Sequence, residues 1–153
     1  MRALGVDYGR RRIGLALSDA SRTLARPWKT LAAGATPEAS AALLAADIVR
    51  LNTEEPDDAV DVIVIGLPRR LGGEDNEQTP LVREFGAALE RATGLPTAWQ
   101  DERLSSHEAD QRLAEREPDW RRRKKKLDAA AAAIILQDHL DQHTSTRAAR
   151  QSG

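Results

Sequence analysis

Ala3 to Val6 is a short apolar run, and soon after it Ile13, Leu15 and Leu17 alternate with Gly14, Ala16 and Ser18. A period of two marks a strand with one face buried. Between the two runs lie Asp7, Tyr8, Gly9 and three arginines, Arg10, Arg11 and Arg12. Glycine allows a tight bend and the arginines keep it in water, so the stretch predicts two strands joined by a turn, with Asp7 topping the first. An acid at the end of a buried strand needs a partner. It either hydrogen-bonds the turn amides, as Asp beside glycine commonly does, or it serves chemistry.

The rest of the chain alternates strand and helix signals. Arg22 to Leu31 predicts a third strand around Pro27. Thr36 before Pro37 is a cap followed by the residue best suited to the first helical position, and Leu44, Ile48 and Leu51 then recur at helical spacing. Val60 to Ile65 is a nearly unbroken branched run that suits an interior strand covered on both sides. The loop from Arg69 to Gln78 reads as exposed and mobile, in a place where loops often carry function. Thr79 and Pro80 repeat the cap-and-proline start, and Leu81, Val82, Phe85 and Leu89 form a buried stripe ending near Gly94. Pro96 to Gln100 predicts a last strand running into Asp101, Glu102 and Arg103. Trp99 and Trp28 read as core. Ser105 with Glu108 has the form of a capping box, predicting a helix to Arg116. Six basic residues, Arg121 to Lys126, precede a final helix with Asp128 in its first turn and Ala129 to Ala133, Ile134, Ile135, Leu136 and Leu140 as its body. Residues 1–143 are expected to form one domain, and the polar stretch 144–153 a disordered tail.

A length of 153 residues suits a single core. The absence of cysteine excludes disulfides, thiolate zinc sites and thiol catalysis. His139 and His143 have the i, i+4 spacing of a helical metal pair, but no zinc-protease motif accompanies them, and a solvated helix end accounts for both. With neither a signal peptide nor a membrane-spanning segment, the expected place is the cytoplasm, without a membrane partner. The net charge of −1 conceals clumped basic residues, and a basic face can sit inside a neutral total.

Three acids occupy comparable positions: Asp7 after the first strand, Glu102 or its neighbour Asp101 after the last, and Asp128 at the final helix. In an open sheet the strand ends gather along one edge, where a packed helix can add a third carboxylate. Such a cluster repels itself unless a cation is present, and hard oxygen ligands suit Mg2+ or Mn2+. Two ions roughly 3.5 to 4 Å apart would activate a water and stabilise the leaving oxygen in phosphodiester hydrolysis. Each acid also has a plainer account: a salt bridge to Arg103 for Glu102, the helix N-terminus for Asp128. The run Arg121 to Lys126 points to a polyanion at that edge, or else to a solvated loop. Trp120, beside it, is the one tryptophan placed to meet a base.

These blocks resemble the YqgF/RuvX family of Holliday-junction-resolvase-like proteins. The resemblance rests on Leu4 to Gly9 with Arg12-Ile13-Gly14 and Ser18-Asp19, on Val64 to Pro68, on Asp101 to Ser105, and on Lys125 to Asp128 with Ala131-Ala132 and Ile135 to Gln137. It implies an α/β, RNase H-like fold: a mixed five-stranded sheet with helices on both faces. It also implies a metal-dependent endonuclease acting in 5′-end maturation of pre-16S rRNA, with four-way DNA junctions as the alternative substrate. Asp7, Glu102 and Asp128 correspond to the family's catalytic, metal-binding acids, and Arg103 and Ser105 to neighbours of the scissile phosphate. With them, Arg10, Arg11, Arg12, Arg123, Lys124, Lys125 and Lys126 form the expected nucleic-acid contacts. Pre-rRNA or branched DNA, and ribosomal precursor particles, are the implied partners of a monomer or homodimer. The chain departs from the family pattern at Arg69 to Gly73 and at Ser106, which bears on substrate contacts. Two other classes remain: a non-catalytic nucleic-acid binder, and an actin-like ATPase or sugar kinase, for which 153 residues leave no second lobe.

Overall fold

The computed structural model describes residues 1–70, 72–101 and 120–152, with 120–125 and 144–152 described by backbone alone. Its strands are β1 (Arg2–Tyr8), β2 (Arg12–Ser18), β3 (Ala25–Ala32), β4 (Val60–Leu67) and β5 (Thr97–Asp101); its helices are α1 (Pro37–Glu54), α2 (Thr79–Thr93) and α3 (Trp120–Ser152). They form one sheet in the order β3-β2-β1-β4-β5. β1, β2 and β3 are antiparallel, while β4 and β5 run parallel to β1. This is the mixed five-stranded α/β sheet that the family resemblance implies.

Alternation along β1 and β2 makes two unequal cores. Leu4, Val6, Ile13 and Leu15, with Ile63 and Ile65 of β4, pack against Leu44 and Ile48 of α1 and Phe85 and Leu89 of α2. Full burial of each such side chain stabilises by about 1.5 to 3 kcal/mol. On the opposite face, small residues, Ala3 and Ala16 with Val64, meet Ala132, Ile135, Leu136 and Leu140 of α3. Small side chains let α3 lie close. At Gly5 an added Cβ would fall 2.7 Å from the Leu136 Cβ and 2.9 Å from the Ala132 carbonyl oxygen.

The helix starts show the local chemistry. Thr36 Oγ1 accepts the Ala39 N–H at 3.1 Å, with Pro37 opening α1. At α2 the expected cap is displaced: Thr79 belongs to the helix, and Asn76 Oδ1 accepts the N–H groups of Gln78 and Thr79 at 2.8 and 3.1 Å. The buried Thr79 hydroxyl instead donates to the Pro68 carbonyl at 2.5 Å. Arg69 pairs with Asp75 in an isolated antiparallel bridge, so the loop after β4 is held at its base by this pair and by the Thr79 bond to Pro68. α2 ends at Gly94 with φ 71°, as its glycine predicts.

Several other expectations change. β1 continues through Asp7 to Tyr8, so Asp7 lies within the strand, paired with Gly14. Trp99 is 40% exposed and Trp28 half-buried, because both lie on edge strands. α3 begins at Trp120, which carries the basic run into the helix and places Asp128 past its second turn. Its backbone runs as helix to Ser152. The helix expected over 105–116 lies outside the described residues.

Candidate active site

Gly14 assembles the site. It pairs directly with Asp7, and directly opposed residues of an antiparallel pair project to the same face. The missing Gly14 side chain points at α3: a Cβ there would fall 1.9 Å from the Asp128 carbonyl oxygen and 2.8 Å from the Ala129 nitrogen. Asp7 therefore shares the α3 face of the sheet with Gly5 and Gly14, and α3 crosses that face at Asp128. The sequence placed both acids at a common edge. The physical cause of their meeting, backbone against a buried glycine, is a long-range contact that the sequence does not display.

Arg12, at the start of β2, reaches the same point. Its Nε donates to Asp128 Oδ2 at 2.7 Å, in an ion pair with side-chain exposures of 37% and 24%. Arg10 and Arg11 stand exposed in the turn. Below the turn the Tyr8 ring stacks on Phe85 at a centroid distance of 4.6 Å, bracing the end of β1 from the other face. Burial, followed by the nearby Glu84 carboxylate, pushes the Tyr8 hydroxyl above its ordinary pKa, so it stays neutral. A cleft of about 420 Å3 opens here, lined by Tyr8, Gly9, Arg10, Arg11, Arg12, Pro68, Gln78 and Asp128.

The sequence marks Gln78 and Pro68 only as the bounds of a loop and a motif, not as site residues. Their signal was positional, since they flank the loop leaving the carboxyl end of β4. Gln137 was likewise missed as an anchor. Its amide donates to the Thr23 carbonyl and accepts from the Ala25 N–H, each at 2.9 Å, fixing the register of α3 against β3.

Asp101 ends β5 with the parity of Trp99, whose ring lies against Gly86 of α2. It therefore faces α2, away from Asp7 and Asp128, while Ala98 packs on the α3 side. Glu102, Arg103 and Ser105 lie outside the described residues. The backbones of Arg123, Lys124 and Lys125 belong to α3, and the exposed Lys126 stands on α3 two residues before Asp128. Asp7 and Asp128 offer the hard oxygen donors that suit Mg2+ or Mn2+, and among the described residues no third His, Asp or Glu joins them. Nor, among those residues, is any helix long and apolar enough to cross a membrane.

A family model described as RuvX, Holliday junction resolvase, matches residues 1–142. A protein of Maridesulfovibrio salexigens named "Putative pre-16S rRNA nuclease" is 41% identical over 140 residues, covering 92% of this chain and 98% of its own. One of the same name from Anaeromyxobacter dehalogenans strain 2CP-1 is 42% identical over 141 residues, covering 92% and 97%. Among solved structures, T. thermophilus RuvC in complex with a Holliday junction substrate has a TM-score of 0.55 at 15% identity, over 95% of this chain and 97% of that one, which is a likeness of fold.

Proposed function

Because the chain belongs to the RuvX family, we propose that it is a divalent-metal-dependent endonuclease that hydrolyses phosphodiester bonds of structured nucleic acid in the cytoplasm, with pre-16S rRNA as substrate. The single observation that carries this reading is the contact of Gly14 with the Asp128 backbone, which gathers Asp7 and Asp128 on one face beside a turn of three arginines. Glu102 is the third acid of the proposed set, and the parity of β5, which turns Asp101 away, supports it over its neighbour.

Each part has a defined task. Asp7, Asp128 and Glu102 hold Mg2+ or Mn2+, which when bound supplies an activated water and charge stabilisation for the leaving oxygen. Arg10 and Arg11 neutralise backbone phosphates at the mouth of the cleft, giving affinity without sequence preference. The exposed Lys126 adds to that cationic surface, Arg123, Lys124 and Lys125 are further nucleic-acid contacts of the proposed set, and Arg103 and Ser105 serve the scissile phosphate. Ribosomal precursor particles are the proposed setting, with the protein as monomer or homodimer. The family description favours a second substrate, the four-way DNA junction.

One experiment separates these readings. A labelled precursor rRNA fragment and a four-way DNA junction are incubated with Mg2+ or Mn2+, wild type beside Asp7→Asn. Cutting of one substrate that vanishes in the variant identifies the nuclease and its substrate class. Salt-sensitive binding of both without cutting makes the protein a non-catalytic binder.

A further inference from the structure

We propose that Arg12 is an internal counter-ion of the acidic site, holding the Asp128 carboxylate until a divalent cation displaces it, and then passing to a substrate phosphate. The inference rests on the nuclease reading above and concerns how that site is loaded. Asp7 and Asp128 share one face of the sheet, where two carboxylates repel each other. The Arg12 Nε contact at 2.7 Å to Asp128 Oδ2 answers that repulsion from within the chain.

The same contact stands in the way of a metal ion. The Oδ2 lone pair directed at the guanidinium is withdrawn from a hard cation, and a cation at the remaining carboxylate oxygen is repelled by the guanidinium across a few ångströms. Metal binding and the Arg12 contact therefore compete, and a bound cation favours release of Arg12. Its backbone is fixed by the pairing of Arg12 with Ala32, but the side chain is more than a third exposed, so only rotamer changes are needed. A released Arg12 then adds a third guanidinium to a cleft that Arg10 and Arg11 already line. An arginine there is stabilised by a phosphate, which its planar N–H donors can grip in pairs. Metal and polyanion thus bind with positive coupling, and linkage makes the coupling equal in both directions.

The test reads Mn2+ binding by electron paramagnetic resonance, without nucleic acid and without turnover, in wild type, Arg12→Gln, Arg12→Lys, Arg11→Gln and Asp128→Asn. Thermal unfolding of each variant checks that it folds. Arg12→Gln is expected to bind Mn2+ roughly three- to tenfold more tightly, on the scale of a lost charge-assisted hydrogen bond at a half-exposed site. Arg12→Lys, which keeps the charge, is expected to restore weak binding, and Arg11→Gln to change affinity less than twofold. Equal affinity in wild type and Arg12→Gln overturns the counter-ion role, as does equal tightening in Arg11→Gln, which would make the effect one of net charge. Unchanged Mn2+ binding in Asp128→Asn has a different meaning: it removes Asp128 from the metal site, and the nuclease reading of that residue falls with it.

Discussion

At Gly14 a methyl group would sit 1.9 Å from the carbonyl oxygen of Asp128, a backbone atom that no rotamer change can move. α3 would have to lift off the sheet, and its carboxylate would leave the face of Asp7 with it. Gly14→Ala is therefore expected to destabilise the fold by about 2 to 3 kcal/mol, at the upper end of overpacking costs, and to abolish cleavage. Urea unfolding and the cleavage assay together check both effects. Thr79 makes a second single-residue case. Its hydroxyl donates to the Pro68 carbonyl and accepts from the Asn76 N–H at 2.9 Å, in a fully buried position. Thr79→Val keeps the shape and strips both partners, so a loss of about 1 to 3 kcal/mol is expected, together with faster amide exchange across 68–78. That loop brings Gln78 to the cleft, so its loosening should raise the KM for nucleic acid more than it lowers kcat.

Helix α3 carries two separate kinds of information along its length. Near its start Asp128 meets Arg12, and eleven residues later the His139 and His143 rings, tilted by 36° with centroids 4.0 Å apart, line a cavity with Arg22, Ala98 and Leu140. Burial first, then the neighbouring His143, holds His139 below its ordinary pKa of 6.5. The unfolded chain then binds more protons than the folded one as pH falls through about 6.5, so the stability that neutral His139 contributes is present above that pH and lost below it. Thermal unfolding at pH 7.5 and 5.5 should show wild type losing more stability than His139→Gln, and an equal loss would remove His139 as the cause. The sequence revealed α3 unevenly. Its alanine body and the Ile135 and Leu136 stripe were legible because periodicity and propensity are local, as was the branched run of β4. Its start at Trp120 was not, because six like charges argue against a helix by their mutual repulsion, and packing of Ala129, Ala132 and Leu136 on the sheet outweighs them. The two histidines read as a solvated helix end, since only the tertiary fold brings Ala3, Val62 and Ala98 beneath them.

Over the whole molecule the charges nearly cancel, yet the fold sorts them. The hairpin turn presents Arg10 and Arg11 to solvent beside the cleft, while the acids Glu55 and Asp61 pair with Arg2 and Arg22 toward the opposite end of the strands. Net charge is the wrong quantity for judging a polyanion partner here, because screening confines each field to roughly 10 Å at 0.1 M salt, less than the length of the sheet. What a nucleic-acid backbone meets is the local cluster. If Arg10 and Arg11 each neutralise one phosphate, the double variant Arg10→Gln, Arg11→Gln should reduce the slope of log affinity against log salt by roughly 1.4 to 1.8, at about 0.7 to 0.9 per contact. Affinities for RNA hairpins of unrelated sequence should fall together, since phosphate contacts carry no base information. The melting temperature should hold, because both side chains are exposed. A slope that does not change, with affinity intact, would move the binding surface away from the turn and onto the basic stretch of α3. The cleft would then be reached from the helix side, and Lys126 would become the residue whose loss lowers the slope.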